Sequence, residues 1–542
     1  MAAGSLAALR TTGSGAPGPG IGLLPLGFLV LMVLAPLVRL AFEALAGAQA
    51  GVFTATVGDA YLRWRVGWSL LQAALTCFVA LLVGLPLAWV LARLDFPGRA
   101  LVLRLLMLPF VVPTLVAALG VLSVWGPRGV VAQWWGLDLQ DTPWLLLYGN
   151  LFFNLCLVLR AAIEALERVS AARVAAARTL GATPWRAFWR VEWPAILPWL
   201  ASALCLVFLY VFSGFGLALI LGGQRFATIE VEIYTLVAHE LKLAPAAVLA
   251  LAMLLLTGSV ALLYAWVERR LAAPARSDGI TRQAPQGVAQ WLAVAGAMLV
   301  LLAICAMPLA AIVVRAALAG SAAWAVLWEP ETLLALWNTV RFTAAALLLA
   351  TVLGVAHALA ARHSTWLRAA AFLPFVVSPV TVAFGLLLLY PGWSASLPLL
   401  VAAYALLAYP FVANGLGAAL DSLPPSLAQV AQTLGASPAR IFWRVTLPMV
   451  TPALRRGMAF AAATALGEFA VTLFLSRPEW ATLTTLIYQR LGRPGASNRD
   501  EALVLAAALM LLALLAFLLI DQPAARRRAA PVPHARNKMR HA

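Results

Sequence analysis

Long apolar runs separated by short polar segments are the dominant pattern in this sequence of 542 residues. The first run, Ile21–Val38, and the last, Ala502–Ile520, carry no charged residue. A helix needs about 20 mostly apolar residues to cross a bilayer, whereas strands of a membrane barrel alternate polar and apolar positions. The runs do not alternate, so the sequence predicts transmembrane helices. Twelve spans are predicted, near residues 21–42, 66–92, 101–125, 143–163, 195–221, 245–267, 289–316, 337–361, 367–390, 396–418, 452–475 and 502–520.

Composition favours the same fold class, because 63% of the residues are hydrophobic and only 11% are charged. The mean hydropathy is +0.93, and a water-soluble protein carries about 25% charged residues. The sequence therefore predicts an all-α integral membrane protein. The four cysteines and five histidines lack the paired spacing of metal ligands, so no metal site is predicted.

The net charge of +17 follows the predicted topology and does not indicate a nucleic-acid partner. With the N-terminus in the cytoplasm, 26 of the 38 lysines and arginines fall in cytoplasmic segments, but only 8 of the 21 acidic residues do. This is the positive-inside distribution of a multi-pass membrane protein. An even number of spans places both termini in the cytoplasm, and the basic C-terminal segment is predicted to contact membrane lipid.

Polar segments divide the chain into two halves. Residues 1–20 are predicted to be a disordered cytoplasmic tail, and residues 522–542 a basic cytoplasmic tail. The segment 272–287, which contains Pro274, Gly279 and Pro285, is predicted to be a cytoplasmic linker. It separates a first half, 21–271, from a second half, 288–521, with six spans in each.

The two halves carry an internal repeat. Thr179–Pro194 and Thr433–Pro448 are identical at 11 of 16 positions, at an offset of 254 residues. Leu-Pro-Phe-Val-Val at 108–112 recurs at 373–377. Because each half has six spans, both copies enter the membrane in the same orientation. The sequence therefore predicts two parallel six-helix repeats around a pseudo-twofold axis along the membrane normal, with a path between them.

The repeated segment has the local signals of a helix–turn–helix. Gly181 can end a first helix in the left-handed conformation, Thr183 can cap a second helix, and Pro184 suits its first turn. The second copy repeats this order with Gly435, Ser437 and Pro438. Arginines on these segments would face water or a partner. Simple contact of a basic amphipathic helix with lipid headgroups is the alternative.

This pattern resembles the "EAA loop" of permeases in bacterial ATP-driven (ABC) importers. The glycine and the final proline keep the family spacing in both copies, within residues 170–194 and 424–448, which we call the EAA-like loops. The acidic first position is replaced by Ala175 and Gln429. The resemblance implies that each loop couples to one of two ABC ATPase subunits, which bind ATP and Mg. The residues predicted for this coupling are Ala175, Arg178, Gly181, Pro184, Arg186, Gln429, Gly435, Pro438 and Arg440.

The chain itself lacks the nucleotide-binding motif. A P-loop ends in Gly-Lys-Ser/Thr, but the only lysines, Lys242 and Lys538, follow Leu and Asn. The sequence therefore predicts a permease subunit that is not an enzyme and binds no cofactor. The resemblance further implies a periplasmic binding protein as partner and a location in the bacterial inner membrane.

Among fused permeases, Leu108–Gly129 and Leu221-Gly222-Gly223 are most similar to those for thiamine. The resemblance implies import of thiamine or its phosphates. A ferric-iron importer of the same class is the alternative, and an ion-coupled secondary transporter is a more distant one.

Two residues are candidates for the substrate path. Glu468 lies inside a predicted span, where a carboxylate usually faces a cavity or a partner, and its counterpart in the first half is Gly214. It is predicted either to contact a cationic substrate or to pair with a group such as Arg341. Trp125 could offer a face for cation–π contact, or it belongs to the aromatic belt at the membrane interface.

Overall fold

The computed structural model describes residues 19–46, 51–271, 280–362, 364–394, 396–475 and 477–521. The predicted N-terminal tail up to residue 18, residues 272–279 of the predicted linker, and the predicted tail after residue 521 lie outside the described residues.

The named elements of the first half are helices, interrupted at prolines and glycines. They are α1 (Leu23–Leu29), α2 (Ala35–Ala46), α3 (Val52–Gly58), α4 (Ala60–Arg93), α5 (Arg99–Leu105), α6 (Leu108–Val111), α7 (Thr114–Trp125), α8 (Val130–Trp135), α9 (Pro143–Glu167), α10 (Ala171–Thr179), α11 (Pro184–Ala187), α12 (Trp193–Phe212), α13 (Gly216–Leu221), α14 (Ile229–Ala238) and α15 (Leu243–Leu271).

The second half repeats this series. Its helices are α16 (Val288–Leu301), α17 (Met307–Leu318), α18 (Gly320–Trp324), α19 (Pro330–Ala361), α20 (Thr365–Ala370), α21 (Leu373–Val376), α22 (Pro379–Leu389), α23 (Leu397–Asp421), α24 (Pro425–Thr433), α25 (Pro438–Ile441), α26 (Leu447–Leu466), α27 (Ala470–Leu475), α28 (Leu483–Gly492) and α29 (Ala496–Ile520). Wider π-helical turns join several of these helices, at Val30–Leu34, Phe188–Glu192, Leu302–Ala306 and Phe442–Thr446.

The predicted fold class is confirmed. In the described residues ten helices are long and apolar enough to cross a membrane, and one bent pair, Trp366–Val376 with Pro379–Leu389, makes eleven if it is one span. The remaining prediction, near 452–475, corresponds to two helices. Of these, α26 carries Arg455 and Arg456 and ends before Gly467. These charges make α26 less apolar than the ten long helices.

A proline breaks the third span of each half just after the repeated Leu-Pro-Phe-Val-Val motif. The bent pair in the second half turns by 93° between Val376 and Pro379. Ser378 is extended there, because a residue before proline is forced out of the helical region. In the first half Val112 is extended in the same way before Pro113. The bend therefore follows the repeated Leu-Pro-Phe-Val-Val motif in both halves, and the proline that causes it, Pro113 or Pro379, differs by one position between them.

The first span of each sequence half packs against the other half through its second helix. Helix α2 contacts α22 of the second half as well as α15, and α17 contacts α7 of the first half as well as α29. Glycines permit these crossings. A Cβ at Gly120 would lie 2.8 Å from the Pro308 carbonyl oxygen, and a Cβ at Gly385 would lie 2.9 Å from the Pro36 Cβ. The two sequence halves are therefore interlocked in the fold.

Replacing Gly120 with valine should loosen one of these crossings. The added side chain meets the backbone of α17, which cannot rotate away, and overpacking of this kind costs about 1–3 kcal/mol. We expect a lower thermal unfolding temperature for the detergent-solubilised protein. The matched control is Gly296→Val, because no other described residue has an atom within 4 Å of a Cβ there. Equal unfolding temperatures for the two variants would contradict the close crossing.

Candidate functional site

The first EAA-like loop folds as the sequence predicts. The Ser170 side chain accepts a hydrogen bond from the Arg173 N–H at the start of α10. Gly181 ends the helix with a φ of 84°, a left-handed value that favours glycine. The Thr183 hydroxyl then accepts from the Arg186 N–H at 3.3 Å and caps α11. A π-helical turn connects α11 to α12.

The second EAA-like loop repeats this geometry. Gly435 ends α24 with a φ of 76°. The Ser437 hydroxyl accepts from the Arg440 N–H at 3.4 Å and caps α25. In both copies a backbone N–H just after the glycine donates back to the helix, from Ala182 to Ala177 and from Ala436 to Ala431, each at 3.0 Å. The same turn therefore forms twice from the same local signals.

Both EAA-like loops expose apolar side chains among their arginines. Leu180 is 88% exposed and Leu434 is 82% exposed, and these leucines precede the two turn glycines. Exposed apolar patches flanked by charge commonly mark protein interfaces. The residues predicted for coupling are all exposed in the structure: Ala175, Arg178, Gly181, Pro184, Arg186, Gln429, Gly435, Pro438 and Arg440.

The first loop is also tied to the membrane bundle. An ion pair of 2.6 Å joins Glu192, at the end of its π-helical turn, to Arg93 at the end of α4. Both side chains are nearly buried. The second copy has Thr446 at the position of Glu192. The two EAA-like loops thus have the same backbone geometry, but the second loop lacks the carboxylate that joins the first loop to the membrane helices.

A cavity of about 230 Å³ lies between the two halves, about halfway along α9 and α23. This is many times the space one water molecule needs. Its walls come from the bends after α6 and α21 and from the breaks between α12 and α13 and between α26 and α27. Both halves contribute because these breaks face each other across the pseudo-twofold axis.

Aromatic side chains form a closed ring on one wall of this cavity. Neighbouring ring centroids lie 5.4–6.2 Å apart, the usual spacing of aromatic pairs. All members line the cavity. We call this ring the aromatic collar; in order around it, the members are Phe110, Tyr210, Phe375, Phe411 and Phe460.

A stacked pair of phenylalanine rings closes the opposite wall of the cavity. Phe215 and Phe469, at equivalent positions of the repeat, stack with centroids 5.8 Å apart and an interplanar angle of 24°. They follow the breaks after α12 and α26, whereas Tyr210 and Phe460 of the collar precede those breaks. The collar therefore lies on the side of the EAA-like loops, and the stacked pair lies on the opposite side.

Glu468 lies between these two aromatic layers. Its side chain lines the cavity and is 8% exposed. One carboxylate oxygen accepts a hydrogen bond of 2.9 Å from the Val471 N–H, at the start of α27. Within the described residues no basic side chain reaches Glu468 at ion-pair distance, and Arg341 instead lies over the Phe342 and Trp480 rings. The cavity thus contains a carboxylate without a counter-charge.

Polar groups of the first half face the same cavity. The Asn154 Nδ2 donates to the Asn150 carbonyl at 3.0 Å, and Asn150 donates to Gln72 at 2.8 Å. The Asn154 Oδ1 and the Ser213 Oγ have no hydrogen-bond partner in the part of the chain that the structure describes. Buried polar groups are normally paired, so these two atoms are available to a bound molecule or to water.

Sequence reasoning placed Glu468 in the path but did not find the other cavity residues. Phe110 and Phe375 were visible only as part of the repeated motif, and no local signal marked Asn154 or Tyr210. Trp125 is not among the lining residues. It packs instead against Tyr148, with centroids 5.6 Å apart, away from the cavity.

Comparison with known proteins identifies the family. The sequence matches the family described as "Binding-protein-dependent transport system inner membrane component" over residues 84–273 and 346–529. The chain belongs to this family. Each matched segment contains one bend of the repeated motif and one EAA-like loop, so this permease carries two family units in one chain. The predicted resemblance is confirmed.

Several curated permeases are similar along nearly the whole chain. The thiamine transport system permease protein of Salmonella typhimurium is 27% identical over 527 residues, 92% of this chain and 96% of that protein. The thiamine transport system permease protein of Brucella abortus is 30% identical over 536 residues, 94% of this chain and 96% of that protein. The sulfate transport system permease protein of Synechocystis is 34% identical over 178 residues, only 32% of this chain.

Proposed function

We propose that this permease is the membrane pathway of an ATP-driven importer for thiamine or its phosphates. The observation that carries the proposal is the cavity between the halves, where Glu468 stands without a counter-charge between two aromatic layers. Thiamine is an aromatic cation. Aromatic faces and a carboxylate attract such a cation, and the attraction is strongest where water is excluded.

The unpaired polar atoms support an organic ligand. Asn154 Oδ1 can accept a hydrogen bond from the amino group of a heteroaromatic ring. Ser213 Oγ can accept a hydrogen bond from that amino group or donate one to a ring nitrogen. Among the described residues that line the cavity, Glu468 and Tyr210 are the only acidic side chain and the only phenol. A bare ferric ion needs several hard oxygen ligands, so this lining favours the aromatic cation over the ferric-iron alternative.

The EAA-like loops are proposed to dock two copies of an ABC ATPase subunit in the cytoplasm. Their exposed leucines would enter an apolar groove, and their arginines would pair with acidic groups at its rim. ATP and Mg would be bound by those subunits. Movement of the first loop would reach α4 through the Arg93–Glu192 ion pair. With the EAA-like loops in the cytoplasm, both termini are also proposed to lie in the cytoplasm, and the stacked Phe215–Phe469 pair is proposed to face the periplasm.

A periplasmic binding protein is proposed to deliver the solute to the outer side. The layered cavity then suggests alternating access. The aromatic collar blocks the inner exit while the stacked pair blocks the outer entrance, and rocking of the halves would open one layer at a time.

The proposal is tested by reconstitution. A tagged full-length chain is expressed with its neighbouring genes, and co-purified proteins are identified by mass spectrometry. The complex is then placed in proteoliposomes with labelled thiamine outside. We expect an ABC ATPase to co-purify, and uptake to require both ATP inside and the binding protein outside.

Two outcomes would overturn the proposal. Uptake that proceeds without ATP and follows an ion gradient would identify a secondary transporter. ATP-dependent uptake of ferric iron, with no uptake of thiamine or its phosphates, would identify the ferric-iron alternative.

A further inference from the structure

A second recess, of about 260 Å³, opens at the outer ends of the helices that line the cavity. Helix α7 lines the cavity with Thr114 and the recess with Leu122. Helix α13 lines the cavity with Gly216 and the recess with Leu221. Both helices run away from the EAA-like loops. The recess therefore lies on the proposed periplasmic side, next to the entrance of the pathway.

Three arginines line this recess: Arg128, Arg315 and Arg499. Among the described residues that line it, Asp141 is the only acidic side chain. In the described residues no ion pair joins any of these arginines to a carboxylate, although Asp500 lies near Arg315. The recess therefore has an excess of positive charge. Like charges brought this close are unfavourable unless an anion compensates them.

Arg315 is oriented by the protein and still has a free donor. Its terminal nitrogen donates to the Arg128 backbone carbonyl. Its Nε is buried and has no hydrogen-bond partner in the described part of the chain. The floor of the recess is made by fully buried leucines such as Leu145 and Leu221, so the guanidinium groups stand beside low-dielectric protein. A buried donor without a partner indicates a missing acceptor.

The arginines break the pseudo-twofold symmetry. Helices α2 and α17 correspond through Pro36 and Pro308, which contact the paired glycines Gly385 and Gly120. This register places Glu43 at the position of Arg315. Glu43 is already paired with Arg39 at 2.8 Å.

The other two arginines also lack counterparts. The match of 108–112 with 373–377, an offset of 265 residues, gives Trp393 for Arg128, and the offset of 254 residues gives Pro245 for Arg499. The basic recess therefore occurs once in the described chain and is not a general property of the fold.

We propose that this recess, which we call the arginine recess, binds the phosphate group of a phosphorylated solute before it enters the pathway. Guanidinium groups suit phosphate because they donate two parallel hydrogen bonds. A phosphate monoester carries a charge of about −1.5 to −2 at pH 7, which matches three arginines offset by one aspartate. This inference rests on the proposed function, and it assigns the phosphate and the cationic ring of the solute to two separate sites.

The test compares two solutes in the same proteoliposomes. Uptake of labelled thiamine and of labelled thiamine monophosphate is measured for the wild-type complex and for Arg499→Gln. Arg499 is exposed, and no hydrogen bond joins its side chain to another of the described residues. We expect monophosphate uptake to fall about tenfold or more, since a hydrogen bond to a charged group is lost. Thiamine uptake should remain unchanged. Arg315→Lys keeps the charge but not the forked donors, and should give a smaller loss for the monophosphate alone.

The control is Arg493→Gln, which removes an exposed arginine of the same face that does not line the recess. It should leave both solutes unaffected. Equal losses of thiamine and monophosphate uptake in Arg499→Gln would overturn the inference, because they would indicate docking of the binding protein. No loss for either solute would also overturn it.

Two further arms separate the remaining possibilities. An effect of Arg499→Gln seen only in vesicles that contain phosphatidylglycerol would identify a lipid headgroup as the occupant and overturn the inference. Binding of thiamine monophosphate and of pyrophosphate to the purified complex is measured without transport. Weaker binding by Arg499→Gln than by Arg493→Gln supports the recess even if thiamine is not the transported solute, and equal binding counts against it.

Discussion

Replacing Glu468 with glutamine should lower ATP-driven uptake of thiamine by about tenfold to a hundredfold. The variant keeps the size of the side chain and can still accept the Val471 N–H bond that starts α27. It removes the negative charge between the two aromatic layers. A cation that enters the cavity would then lose its only full counter-charge among the described lining residues, while its contacts with the rings remain.

The control for this prediction is Glu240→Gln, a change of the same kind at a partly exposed carboxylate paired with Lys242 outside the cavity. It should transport thiamine like the wild type. Membrane levels and ATPase activity of both variants are measured beside uptake. Wild-type uptake by Glu468→Gln at equal membrane levels would remove Glu468 from the pathway and leave it a structural cap of α27.

Valine in place of Gly181 and Gly435 together should nearly abolish ATP-driven uptake, while the chain still inserts in the membrane. Both glycines have φ values, 84° and 76°, that a β-branched residue avoids. In the part of the chain that the structure describes, a Cβ at either position meets no atom within 4 Å, so the effect comes from the backbone alone. Each turn would have to change its conformation, and the second helix of each loop would no longer present its exposed face to an ATPase.

Asparagine at the same two positions is the matched control, because asparagine tolerates the left-handed conformation far better than valine. The asparagine variant should retain most of its uptake and its co-purification with the ATPase. If the valine and asparagine variants lost activity equally, the turn conformation would not be the cause. Single variants would then show whether the side chains at the two loops act through contacts with the partner.

The helix bends show how far local patterns reach. Pro113 and Pro379, which follow the repeated Leu-Pro-Phe-Val-Val motif, were visible in the sequence, and proline makes a bend predictable because of its effect on the preceding residue. The sequence still predicted unbroken spans at 101–125 and 367–390. A run of apolar residues reports total hydrophobicity, and this quantity does not change when the helix is divided by a bend.

The lining of the cavity depends on packing over long distances in the chain. Phe110 and Phe460 lie 350 residues apart in number, yet their rings are 5.9 Å apart. Neither residue differs locally from other aromatic residues of a membrane helix. Glu468 was identifiable because a charge in an apolar span is rare and costly, whereas an asparagine such as Asn154 is a much weaker signal.

By itself, the sequence determined the membrane class, the duplication and the geometry of both EAA-like loops. These features rest on hydropathy and on residues a few positions apart, such as Gly181 with Thr183, so local physical chemistry is sufficient to specify them. Only the tertiary structure decided that α2 and α17 cross to the opposite half, that five rings close into a collar, and that three arginines share one recess. These features arise where helices distant in the chain meet, and the contacts of such helices depend on the shape of every surface that packs between them.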